Sequence, residues 1–144
     1  MSDDFEEERR AIEGRFKNAW GAKTPIRMDN ARWKDLDPEE TPAYVALFIV
    51  NGLGQQIELR ETALVRFNGQ IIVQVFTKER TGNSRARKLA NDVADVFRRA
   101  DFARGSSGRI RCRIPTIVRV GDNNGWYQLN VSTPFMRDAF HVRA

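Results

Sequence analysis

Apolar residues recur at helical spacing along the first twenty positions, where Phe5, Ile12, Phe16 and Ala19 or Trp20 share one face. The opposite face sets Glu6 against Arg10, Arg9 against Glu13 and Glu13 against Lys17, each pair four apart. Asp3 or Asp4 stands where a helix cap belongs, with an acid three residues on. This predicts an N-terminal helix whose charged face is solvated. Gly14 inside it costs ~1 kcal/mol relative to alanine, so the helix depends on packing against the rest of the fold.

From Gly21 to Pro42 the periodicity disappears, and the segment Asp35 to Pro42 concentrates two prolines and four acids. A long surface connection is expected there. Tyr44 to Val50 then runs without interruption in β-favouring residues, closed by Asn51-Gly52, and the alternating Ile57, Leu59 segment follows. That reads as two antiparallel strands joined at a tight turn. A second Asn68-Gly69 separates Ala63 to Phe67 from Gln70 to Thr77. Ile71 to Phe76 lacks clean alternation, which predicts a central strand buried on both faces beneath helices.

A second helix is predicted after Thr81-Gly82-Asn83-Ser84. Ala86, Leu89, Ala90, Val93, Ala94, Phe97 and Ala100 fall on one stripe, and Lys88, Asp92, Asp95, Arg98 and Arg99 on the other. Gly105-Ser106-Ser107-Gly108 reads as a hinge between helix and strand. Arg109 to Ile114 alternates strictly, placing three arginines on one sheet face and Ile110, Cys112 and Ile114 on the other. Pro115 ends or edges that strand. Asp122-Asn123-Asn124-Gly125 turns the chain into Trp126 to Phe135, with Tyr127, Leu129, Val131 and Phe135 facing the core. Trp126 falls on the opposite face, covered by a helix, a loop or a neighbouring subunit. The pattern therefore gives an α+β fold: an antiparallel or mixed β-sheet of about five to six strands, flanked by an N-terminal helix and a central amphipathic helix. At 144 residues, one domain spanning 1–144 is expected.

Composition changes this picture in one respect. The net charge of +5 is unevenly divided. Residues 1–72 hold ten basic and thirteen acidic side chains, and residues 73–144 hold fourteen and six. The halves are thus −3 and +8, a split that suits either nucleic-acid contact or a charged face that orders subunits against one another. No apolar run approaches the ~20 residues needed to span a bilayer, and the acidic N-terminus lacks secretory features, so a cytoplasmic setting is expected. The single cysteine, Cys112, has no second thiol for a disulfide or metal motif and reads as a half-buried strand residue.

The chemistry of the chain argues against an enzyme. The only histidine, His141, lies near the C-terminus, no nucleophile or metal spacing occurs, and the acids of the connection have no apolar neighbours to raise a pKa. No cofactor or metal is expected. The Gly105 to Gly108 loop resembles a phosphate cradle only superficially, because such loops open helices and this one opens a strand. Lys78 to Arg113 carries eleven cations against four acids and supports an alternative reading as a basic nucleic-acid-binding module.

The run Gly125-Trp126-Tyr127-Gln128-Leu129-Asn130-Val131-Ser132-Thr133-Pro134-Phe135 resembles the closing strand of the tail terminator, or tail completion, proteins of long-tailed phages. Other segments are similar in the same order. They are Trp20 followed by Thr24-Pro25-Ile26 and Asp29-Asn30, then Val73 to Phe76 leading through Thr81-Gly82 into an alanine-rich helix, then Ile114-Pro115-Thr116. The resemblance implies a structural virion protein that assembles with itself as a ring, typically a hexamer. Such a ring caps the tail tube, stops its polymerisation and meets the head connector. The expected partners are copies of itself, the tail tube protein and the head–tail connector protein, with non-specific DNA contact in the channel and no membrane. The expected location is the tail of a phage or phage-like gene transfer particle assembled in the host cytoplasm. Under this reading Arg109, Arg111, Arg113, Arg85, Arg87 and Trp126 become candidates for the channel or the subunit interface. The hairpin Ala43 to Leu59 is a candidate to reach an adjacent subunit.

Overall fold

The computed structural model describes residues 4–105 and 108–143. Two helices, α1 (Asp4–Trp20) and α2 (Ser84–Phe97), lie against a sheet of seven strands. The strands are β1 (Ile26–Met28), β2 (Ala43–Gln56), β3 (Thr62–Lys78), β4 (Asp101–Gly105), β5 (Gly108–Cys112), β6 (Thr116–Asn123) and β7 (Trp126–Val142). Across the sheet the order is β1-β2-β3-β7-β5-β4, and β6 pairs with β7 beside β5. Every pairing is antiparallel except β1 with β2. The mixed α+β architecture with an N-terminal and a central helix is the one the pattern predicts.

Both helices cover the same face. Ile12, Phe16 and Trp20 of α1 and the Ala86-to-Phe97 stripe of α2 pack on Val45, Leu47, Ile71, Val73, Val75, Leu129 and Val131. Phe16 stacks between Trp20, at 5.2 Å, and Phe97, at 5.9 Å. The position Ala19 or Trp20 resolves to Trp20, whose Nε1 donates to the Thr24 hydroxyl at 3.1 Å. Phe5 is half exposed, meeting Phe67 edge-on at 5.3 Å. Asp3 lies outside the described residues, and Asp4 is the first residue of α1. A Cβ built on Gly14 meets nothing within 4 Å. Gly14→Ala should therefore stabilise the protein by about 0.5–1 kcal/mol, seen as a raised midpoint in a urea titration.

The expectation that helices cover both faces of the central strand is corrected. Opposite the helices, Tyr44, Ala46, Phe76 and Trp126 form a second, smaller cluster, closed by Trp33 and Leu36 from the connection after β1. The acids beside them point outward: Asp35, Asp37, Glu39 and Glu40 are all exposed. Replacing those four with alanine should leave stability within about 1 kcal/mol, whereas Leu36→Ala alone should cost more because it uncovers the aromatic cluster. Parallel denaturant titrations make the comparison.

Both Asn-Gly turns are also corrected. Asn51-Gly52 is a bulge within β2, where Gly52 and Leu53 together oppose Asn68 between the pairs Asn51–Gly69 and Gly54–Phe67. Asn68-Gly69 lies in the middle of β3, which runs unbroken for 17 residues. The hairpin turn falls instead between Gln56 and Thr62. The final hairpin does close on Asn124 (φ 50°) and Gly125 (φ 87°), a two-residue turn in which both positions have positive φ. Residues 106–107 of the Gly105 to Gly108 loop are outside the described residues. Gly105 pairs with Gly108, so the loop joins two strands and not a helix to a strand. Ile114 lies past the end of β5 and is exposed rather than core-facing.

Candidate functional site

Strand alternation and register decide where the arginine row sits. Ile110 and Cys112 face the helices in the core, so Arg109 and Arg111 face the helix-free side. Neither stands alone there. Asp101 of β4 forms an ion pair with Arg109, whose Nε donates to it at 2.7 Å. Asp138 of β7 sits between two strands of cations, accepting from Arg111 at 2.7 Å and from both Nε and Nη2 of Arg66 at 2.7 and 3.0 Å. The Arg66 contact comes first in holding the Asp138 carboxyl below its ordinary range, with Arg111 adding to it. Arg109 and Arg111, the two row arginines within β5, are thereby matched by carboxylates from the neighbouring strands. Arg113 lies beyond β5, exposed, with its backbone N–H donating to the Pro134 carbonyl at 2.9 Å.

The other candidates separate from this row. Arg85 and Arg87 are exposed on the first turns of α2, on the helix-covered side of the sheet. Trp126 is 9% exposed and meets Tyr44 at 4.9 Å, nearly perpendicular, on the opposite face. Its cover is the connection carrying Trp33 and Leu36, one of the three possibilities the sequence leaves open. Tyr127 turns the other way, half-buried against the main core. Burial pushes the Cys112 thiol up to about 12, which makes it an inert packing group at neutral pH. Among the described residues no group of three or more His, Cys, Asp or Glu is arranged to hold a metal ion. No helix among them is long and apolar enough to cross a membrane.

A family model described as phage tail terminator protein matches residues 9–135. The chain belongs to the phage tail terminator family. The match covers most of the chain and takes in every segment on which the sequence resemblance rests. The family assigns it a structural role in the phage tail. No curated protein matches this terminator at a significant level. Among solved structures, one protein of 15% identity superposes with a TM-score of 0.72 over 98% of either chain, and at that identity it bears on the fold alone.

One feature of the terminator escapes pattern reading. Arg137 of β7 is fully buried and donates from Nε to Glu8 of α1 at 2.9 Å. The Phe67 ring lies 4.4 Å from its guanidinium carbon and Asn51 Nδ2 donates to the second Glu8 oxygen at 2.9 Å. The available signal is positional. Glu8 lies three residues from Phe5 and four from Ile12, on the apolar stripe of α1, and Arg137 has the same parity as Leu129, Val131 and Phe135.

Proposed function

We propose that residues 1–144 form one tail-terminator domain that assembles as a ring, six-membered in the family's usual form. The ring caps the tail tube, stops its polymerisation and joins it to the head connector. The observation that carries this reading is the family match over residues 9–135. The structure supports it with a sheet whose helix-free side presents a charged row, Arg66, Arg109 and Arg111 with Asp101 and Asp138, across four strands. The row is a candidate to face a neighbouring subunit or the DNA channel, where phosphate is met without sequence readout. The setting is a phage, a prophage or a gene transfer particle. In particles made without this protein, electron microscopy should show tubes of uncontrolled length without heads, and tails of normal length would overturn the reading.

The pairing of Arg109 and Arg111 with carboxylates weakens the alternative of a basic nucleic-acid module, since paired guanidiniums release fewer counterions from DNA. Changing Arg109, Arg111 and Arg113 together to glutamine should leave thermal unfolding nearly unchanged, because Asp138 keeps Arg66. The same change should reduce tail completion several-fold. Normal completion would assign the row to solvent, and a tight, salt-dependent affinity of the wild-type domain for short duplex DNA would favour the module.

A further inference from the structure

The exposed charges of α2 are divided along its length. Its first turns carry Arg85, Arg87 and Lys88 without an acid, and Arg80 stands in the loop before them. All four are exposed, and none forms an ion pair among the described residues. Further along the helix, Asp92 and Asp95 are already held, by Lys23 at 3.2 Å and by Arg98 at 2.6 Å. The free cations therefore sit at the positive end of the helix dipole, where anions belong, and Asn83 supplies no side-chain cap there. Carboxylates brought from outside the chain relieve that arrangement.

The connection between β1 and β2 carries the reverse excess. Residues 35–40 hold four acids and no base. Glu39 is paired with Lys78 at 2.8 Å, whereas Asp35, Asp37 and Glu40 are exposed and form no ion pair among the described residues. The two patches share one end of the sheet. Lys78 closes β3 there, its N–H donating to the Pro42 carbonyl at 2.9 Å, and the next N–H, of Glu79, donates to Gly125 at 3.1 Å before the chain enters α2. They lie on opposite faces, however. α2 packs on the main core, and the connection packs through Trp33 and Leu36 on Tyr44, Phe76 and Trp126 behind it.

Resting on the ring reading above, we infer that neighbouring subunits meet face to back at this end, the basic first turns of α2 in one copy docking on the acidic connection of the next. Charge commits the occupant to a second copy. Each chain carries both halves of the match, and its own sheet holds them apart. Because both patches stand at the same end of the strands, the contact needs no sliding of one subunit along the other. It joins unlike surfaces, helix-covered to helix-free, which is the heterologous contact that generates rings when the rotation closes. Opposed charges set partner and register more than affinity. Area comes from the rest of the helix-free face, where no helix lies over Thr62 to Ile72 of β3 and the strands paired with it. That stretch is ~35 Å long and four strands, ~19 Å, wide, a footprint of ~650 Å² against the ~800 Å² each partner gives a stable interface.

The test reverses each patch in the full chain. One variant combines Arg85→Glu, Arg87→Glu and Lys88→Glu, and the other combines Asp35→Lys, Asp37→Lys and Glu40→Lys. Each should stay monomeric by light scattering at concentrations at least tenfold above those at which wild type assembles, alone or on purified tail tubes. Both reversals in one chain should restore assembly, and so should an equimolar mixture of the two variants, because each then presents the sign that the other lacks. The neutral sets, with Gln for the three cations and Asn or Gln for the three acids, replace any reversed chain that melts below wild type, and each should weaken assembly at least tenfold. Assembly of either single-patch variant at wild-type concentration, or monomers in both the sixfold variant and the mixture, would overturn the contact while leaving the ring intact. Loss of assembly on reversing the cations alone, with the acid-reversed chain assembling normally, would give the basic patch to another anion, such as DNA phosphate, and would also overturn it. A wild-type chain that assembles neither alone nor on tubes would overturn both the contact and the ring.

Discussion

Glu8→Ala is expected to be among the most damaging single substitutions in the molecule, costing about 3–5 kcal/mol. Glu8 is 1% exposed and its partner Arg137 is fully buried, so removing the carboxylate takes an ion pair out of a site that water does not reach. It also strips Asn51 of its acceptor, loosening α1 from the β2 bulge. At ~2–4 °C per kcal/mol for a chain of this size, thermal unfolding should move down by roughly 10 °C. A double replacement, Glu8→Leu with Arg137→Met, should recover most of the loss. Packed apolar groups replace a buried ion pair at little net cost, and Phe67 already offers an apolar wall. Glu8→Ala melting alongside wild type would show that the pair is solvated in solution.

Gly69→Ala should also be costly, at about 1–3 kcal/mol. A Cβ there would lie 2.8 Å from two atoms of the Phe135 ring and 2.8 Å from the Val50 carbonyl oxygen, so relief requires the backbone of β2 to move as well as the ring. The glycine lets Phe135 lie across β3, an aromatic covering a strand glycine. A urea titration of Gly69→Ala beside Gly14→Ala gives a paired check, since the two should shift the midpoint in opposite directions.

The same glycine shows where sequence reading succeeds and where it stops. The amphipathic helices and the core strand Ile71 to Phe76 are legible because their burial follows a local period. Asn68-Gly69 is not, because the dipeptide that favours a tight turn also suits a bulge or a close approach. What selects among them is pairing with β7, about 66 residues further along. β1 and β4 are three and five residues long and exist because β2 and β5 offer them a ladder, so no pattern of their own announces them. For the candidate site, alternation placed Arg109 and Arg111 together on one face. It left their counter-charges invisible, since Asp101 and Asp138 come from other strands. Trp126 was readable as turned away from the core, but its cover depends on Trp33 and Leu36, two residues in a stretch that has no period.

The position of β7 in the chain has a consequence for how the protein is made. This strand follows every other element in sequence, yet it lies in the middle of the sheet, pairing with β3 on one side and with β5 and β6 on the other. A nascent chain that has released β1 through β5 and both helices holds two incomplete sheet fragments with nothing between them. The pairings that join the fragments form only once β7 has been made. Folding should therefore wait for β7 and be slow, in the millisecond-to-second range of sheet proteins with distant contacts. Until then the unpaired strands and apolar edges stand open to chaperones.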